Sequence, residues 1–144
     1  MEEVDTTAVR NCACAQIRRI DRAITQFYDE ALAPGGLRIT QFTLLATLSE
    51  AGPVNVNRLA ELLSMDRTTL TRNLEPLTRQ GFIRSEEGED RRVRLVMLTT
   101  EGKAALVRAL PYWHEAQSRI VQGLGQARFH ALLRELSTVI ELTN

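Results

Sequence analysis

Two short stretches hold most of the side chains that could do chemistry, and that chemistry is the gripping of a polyanion. In the first, Arg67, Thr68, Thr69, Thr71, Arg72 and Arg79 punctuate a leucine pattern, Leu70, Leu74 and Leu77, at i, i+4 and i+7. With Leu70 as the core direction and ~100° per residue, Thr71, Glu75, Thr68, Arg79 and Arg72 share one outer face between about 100° and about 200°. Arg67 falls at its edge, in reach of a phosphate or a base. Short hydroxyls near the start of a helix and guanidinium groups further along suit the DNA major groove, where Arg can pair with guanine O6 and N7. The plain alternative is an amphipathic surface helix with no ligand. In the second stretch Asp90, Arg91, Arg92 and Arg94 follow a polar run containing Gly88. An arginine-tipped turn there could enter the negative potential of a minor groove. The plain alternative is a solvated charged turn. Glu86, Glu87 and Glu89, read as sitting together at that turn, would repel phosphate unless they point away or pair with the arginines.

Elsewhere the chemistry thins out. Cys12 and Cys14 read as lying about 200° apart on a first helix, unable to meet within it, though either could face a partner subunit. They are open to three readings: small buried hydrophobes, redox-active thiols or metal ligands. His114, next to Trp113 and Tyr112, could line an effector pocket, since such pockets combine aromatics with a few polar groups. His130, beside Phe129, reads as surface or structural. There is no P-loop, GxSxG, HExxH or paired CxxC, so neither an enzyme nor a metal or cofactor site is expected.

The elements that must position these residues follow from periodicity and punctuation. Residues 8–33 read as one long helix with a stripe of Val9, Ala13, Ile17, Ile20, Ile24, Phe27 and Ala31, stopped by Pro34-Gly35-Gly36. A second helix follows from Thr40, taken as its N-cap, to Ala51-Gly52-Pro53. Asn55 caps a short helix carrying Leu59, Leu62 and Leu63; Ser64-Met65-Asp66 makes a turn; Asp66 or Ser64 caps a helix over 67–80 that Gly81 ends. Pro76 inside it predicts a bend near Arg72–Pro76, or an end at Glu75. Phe82–Ser85 and Val93–Leu98 read as a hairpin. From Thr99 the helical period returns, with Leu106, Leu110, Trp113, Ile120 and Leu124 on one stripe. Phe129, Leu132, Leu133, Leu136, Val139 and Ile140 form another, and the break falls at Gly123 and Gly125. The expected fold is mainly α, a winged helix-turn-helix with flanking helices.

Composition narrows the class. At 144 residues the chain is expected to be a single domain, with 44% apolar and 25% charged residues as in ordinary globular proteins. No apolar run approaches the roughly 20 residues of a membrane span. The opening MEEVDTTAVR has no apolar signal region, so a cytoplasmic protein without a membrane partner is expected. Net charge is zero, and residues 53–98 carry 8 basic against 7 acidic side chains. Any grip on DNA must therefore rest on placed residues rather than bulk charge.

The segment LAELLSMDRTTLTRNLEPLTRQGFIR, followed by D-x-R…LT-x-x-G at Asp90, Arg92, Leu98, Thr99 and Gly102, resembles the multiple antibiotic resistance regulator (MarR) family of bacterial transcription factors. The resemblance implies one MarR-like domain over 1–144. Within it, 40–98 would be the DNA-binding region, and helices in 8–33 and 100–142 would interlock two subunits into a homodimer. It implies that Arg92 enters a minor groove with Asp90 supporting it. The implied partners are a palindromic double-stranded DNA, a second copy of the chain and a small-molecule effector that relieves repression. Some members sense oxidants through a cysteine near the N-terminus, which makes Cys12 or Cys14 the centre of an alternative. The rival from another class is a winged-helix module that contacts protein and not DNA.

Overall fold

A computed structural model describes Met1 and residues 3–144. After a 3-10 turn at Thr7–Asn11 come helices α1 (Ala13–Leu32), α2 (Ile39–Ala51), α3 (Val56–Leu62), α4 (Arg67–Arg79), α5 (Thr100–Leu124) and α6 (Gln126–Thr143). Strands β1 (Val54–Asn55), β2 (Ile83–Glu87) and β3 (Arg94–Leu98) form an antiparallel sheet in the order β1-β3-β2. This is the mainly helical winged helix-turn-helix expected from the sequence.

Local chemistry sets the boundaries of the helix-turn-helix. The Asn55 side chain accepts the Arg58 N–H at 2.8 Å and starts α3. At the other end Ser64 sits at φ 51°, while the Ser64 N–H bonds Glu61 O and the Met65 N–H bonds Ala60 O. That is a Schellman motif with serine in the left-handed place glycine usually takes. Asp66 caps α4, and a second Schellman motif closes it: Gly81 at φ 76°, with the Gly81 and Phe82 N–H groups on Thr78 O and Leu77 O. The helix does not end at Glu75. It continues through Pro76 to Arg79, because Leu74 and Leu77 are both buried and hold the chain on either side. Pro76 removes only the donor for the carbonyl of Arg72, an exposed residue that water can solvate.

Three boundaries and one strand differ from the sequence reading. Residues 8–33 are not one helix: Cys12 is extended (φ −63°, ψ 121°), and α1 starts at Ala13. Nothing in Thr7–Asn11 is buried, so no packing carries the helix back across Cys12. Thr40 is not the cap of α2, which begins at Ile39. The Ile39 N–H is taken by the Asp29 carboxylate at 2.8 Å, and the Gln41 side chain accepts the Arg38 N–H at 3.0 Å. Strand β2 reaches Glu87, so Glu86 and Glu87 pair with Leu95 and Arg94 instead of lying in the turn. The third strand, β1, was not expected.

Leu32, Leu37, Phe42, Leu45, Leu48, Leu59, Leu70, Leu77, Ile83 and Val96 form a continuous buried cluster. Helix α5 joins it through Gly102, Ala105, Leu106 and Ala109, whereas Leu110 points outward. Small side chains are needed on that face: a Cβ on Gly35 would lie 3.0 Å from the Ala109 Cα. Beyond this cluster the apolar stripes lie open. Ile17, Ile20, Leu132, Leu133, Leu136 and Ile140 are all exposed. Among the described residues no helix is long and apolar enough to cross a membrane.

The start of α5 is fastened to the end of α4. The Thr99 hydroxyl donates to Gly81 O and accepts the Gly102 N–H, and the Thr99 N–H bonds Phe82 O. A Cβ on Gly102 would stand 1.9 Å from that same Phe82 oxygen. Gly102→Ala is therefore expected to destabilise the fold by about 2–3 kcal/mol, as overpacking against backbone does, measured as a lower midpoint in urea unfolding. An unchanged midpoint would contradict the packing described.

Candidate nucleic-acid interface

Helix α4 presents its outer face on a rigid first turn. The Asp66 carboxylate accepts the Thr69 N–H at 2.8 Å and the Thr69 hydroxyl at 2.7 Å. Those bonds, the backbone one first, hold the Asp66 carboxyl below its ordinary value of 3.8. Thr69 is thus part of the cap, its hydroxyl proton committed. Thr71 likewise donates to the Arg67 carbonyl at 2.8 Å. Among the described residues Thr68, Arg72 and Arg79 have no such partner, and all three are exposed. Of the three threonines singled out by sequence, Thr68 keeps a hydroxyl free for a ligand.

The wing is the loop between β2 and β3, closed by the Gly88 N–H on Val93 O and the Val93 N–H on Asp90 O, both 2.9 Å. Inside it Asp90 accepts three bonds from Arg92: the backbone N–H at 3.1 Å, and Nε and Nη2 at 3.2 Å each. The Arg92 side chain, and after it the backbone N–H, holds the Asp90 carboxyl below its ordinary value. With Arg92 90% exposed, this pair contributes little to stability, but it aims the guanidinium. Arg91 is exposed beside it. Glu86 pairs with Arg84 on its own strand at 2.8 Å, away from the loop arginines.

A groove of about 250 Å³ joins the two parts. It is lined by Asn55, Val56 and Asn57 at the start of α3, Arg67 at the start of α4, Arg92 and Val93 of the wing, and Arg94 at the start of β3. The sequence singles out Arg67 and Arg92 and names Arg94 only among the cations after Gly88; it gives the asparagines no such role. The only available signal was the Asn55 cap.

The remaining candidates are dispersed. Cys12 and Cys14 are both exposed, so neither is a buried hydrophobe within the chain; Cys12 sits outside the helix and Cys14 in its first turn. No group of three or more metal-ligating side chains occurs among the described residues. Trp113 stacks on Phe42 with centroids 5.8 Å apart, at the edge of the core. His114 lines a separate, polar groove with Gln117, Ser118, Val121, Gln122 and Gln126. The His114 ring meets the Trp113 ring edge-on, centroids 5.1 Å apart, while Trp113 itself is not part of that groove's lining. Gln117 accepts the Tyr28 hydroxyl at 2.5 Å, which ties α1 to α5 beside that groove.

Residues 37–93 match the family model described as MarR family. The transcriptional regulator MosR of M. tuberculosis, solved in complex with DNA, is 38% identical to this chain; the match covers 92% of this chain and 98% of that one, with a TM-score of 0.81. The transcriptional repressor CouR, bound to a 23-mer DNA duplex, is 26% identical with a TM-score of 0.82, over 96% and 99% of the two chains. An uncharacterized HTH-type transcriptional regulator of Bacillus subtilis, YwoH, is 33% identical over 88 residues, which is 61% of this chain and 64% of that relative.

The cap at Asp66 makes a prediction in pH. Because its folded pKa is lowered, its support of α4 is complete above 3.8 and is lost as pH falls through the lower folded value. An NMR titration of the Asp66 carboxyl should give a midpoint below 3.8, with the Thr69 amide shift following it. A midpoint at or above that value would mean the cap is not formed in solution.

Proposed function

The chain belongs to the MarR family of transcriptional regulators, and from that premise we propose that it is a cytoplasmic homodimer that binds palindromic duplex DNA and represses transcription until a small molecule releases it. The observation that carries this reading is the shared presentation of Thr68, Arg72 and Arg79 on α4 and of Arg92, aimed by Asp90, on the wing. In that arrangement α4 reads base edges in the major groove, with Arg67 and Arg91 on phosphates and Arg92 in the adjacent minor groove. Thr69 and Thr71 contribute by stiffening the helix rather than by donating to DNA.

Homodimerisation is supported by the open apolar stripes of α1 and α6, which no other part of the chain covers among the described residues. Two copies double the contacts with a symmetric site. Release by an effector requires that it bind two spacings of the recognition helices with different affinity. We assign that role to the groove at His114, beside the Tyr28–Gln117 link between α1 and α5. A second reading, oxidant sensing, is favoured by the exposure of both Cys12 and Cys14 where α1 begins. There a thiolate sulfur attacks one oxygen of hydrogen peroxide, the O–O bond breaks, and a sulfenic acid forms while hydroxide leaves and takes a proton from solvent to become water.

A gel-shift titration on the DNA upstream of the chain's own gene tests the main reading against a winged helix that contacts only protein. Binding should weaken steeply with salt, since phosphate contacts release counterions. Arg92→Ala should lower affinity on every sequence and reduce the salt slope by about 1, whereas Thr68→Ala or Arg72→Ala should relax sequence preference by roughly 1–3 kcal/mol. No binding at low salt would refute the DNA reading; three variants that bind like wild type would refute the residue assignment. For the thiol reading, peroxide should release wild-type protein from DNA but not the Cys12→Ser, Cys14→Ser double variant. Equal release of both would end it.

A further inference from the structure

We propose that the groove between α3, α4 and the wing seats one DNA backbone phosphodiester, held by Arg94, Arg67 and Asn57, so that a single phosphate ties the recognition helix to the wing. The proposal rests on the DNA reading above and adds Arg94 and Asn57 to its contacts.

The lining carries the argument. Three guanidinium groups from three different elements border one groove, and no acidic residue is among its lining. Arg92 has the Asp90 carboxylate on it, but among the described residues Arg67 and Arg94 have no ion pair. Glu87, opposite Arg94 in the strand register, neither lines the groove nor pairs with it. The Asn55 side-chain oxygen is spent on the Arg58 N–H, which leaves its amide N–H groups as donors, and Asn57 is exposed with no bond among the described residues. The polar side-chain groups left to the groove are therefore chiefly donors, the complement of an oxyanion. Between them Val56 and Val93 supply apolar surface. A phosphodiester has sugar methylenes on both sides to lie against such valines. A free inorganic phosphate has none, and this favours the polymer.

Contacts to phosphate fix register without reading sequence. The first turn of α4, with Thr68 next to Arg67, would then be set at a fixed depth by the same phosphate that fixes Arg94 at the base of the wing.

Fluorescence anisotropy with the upstream duplex is the test, using the full chain. Arg94→Ala should weaken binding roughly tenfold on operator and unrelated DNA alike, and lower the salt slope by about 1. Asn57→Ala should weaken binding to both DNAs without changing the slope, and Arg94→Lys should restore the slope. Scanning the duplex with single neutral methylphosphonates should find a position that weakens wild type but not Arg94→Ala. The proposal is overturned if wild type binds while Arg94→Ala and Asn57→Ala match it in affinity and slope, which leaves the DNA reading intact. It is also overturned if inorganic phosphate binds in an Arg94-dependent way while the variants keep full DNA affinity, since the groove would then serve a free anion. Failure of wild type to bind any duplex overturns both readings.

Discussion

The geometry of the winged helix is set where the backbone of Gly102 meets the carbonyl of Phe82. That contact leaves no room for a Cβ, and the Thr99 hydroxyl closes it by bonding Gly81 on one side and Gly102 on the other. Four elements end or begin within reach of it: α4, β2, β3 and α5. Consequently the helix that carries Thr68 and Arg72 cannot tilt relative to the strand pair that carries the wing without breaking a packed backbone contact. The same junction ties both to the long α5. Leu98, Thr99 and Gly102 of the sequence motif thus act through structure, whereas Asp90 and Arg92 of that motif sit at the exposed tip.

From this junction the division of labour follows. One buried cluster binds α2, α3, α4, the sheet and the first half of α5, leaving the helix-turn-helix face free of structural duty. At the other end the chain leaves apolar stripes on α1 and α6 in water, at ~25 cal/mol per Å² of apolar surface. A second copy would remove that cost and set two α4 helices at a separation governed by α5 and its neighbours. Net neutrality fits the same picture. With no bulk positive charge, a few arginines must be placed well, and Asp90 places Arg92.

What the sequence made legible was short-range. The caps at Asn55 and Asp66 and the stop at Gly81 each depend on bonds within a few residues, so residue type and position revealed them. What it concealed was long-range. Thr40 looked like a cap, but Asp29 from another helix supplies the acceptor. Leu110 looked inward, but Gly35 approaches so closely that alanine must face it. The two-residue β1 has no signal of its own, existing only because β3 pairs with it. Glu86 and Glu87 looked like part of the turn until the register of β2 with β3 drew them into a strand. The candidate interface divides the same way. Arg67 and Arg92 stood out by position, while their meeting with Asn57 and Arg94 needs three elements folded together.

In the proposed complex two copies, joined by α1, α5 and α6, present two α4 helices to one duplex. Hydroxyl-radical footprinting of the complex, with its mass measured by light scattering, tests this arrangement. Two protomers per duplex and two protected patches about 10 base pairs apart, related by symmetry, are the predicted result. A complex of one protomer with a single protected patch would contradict it.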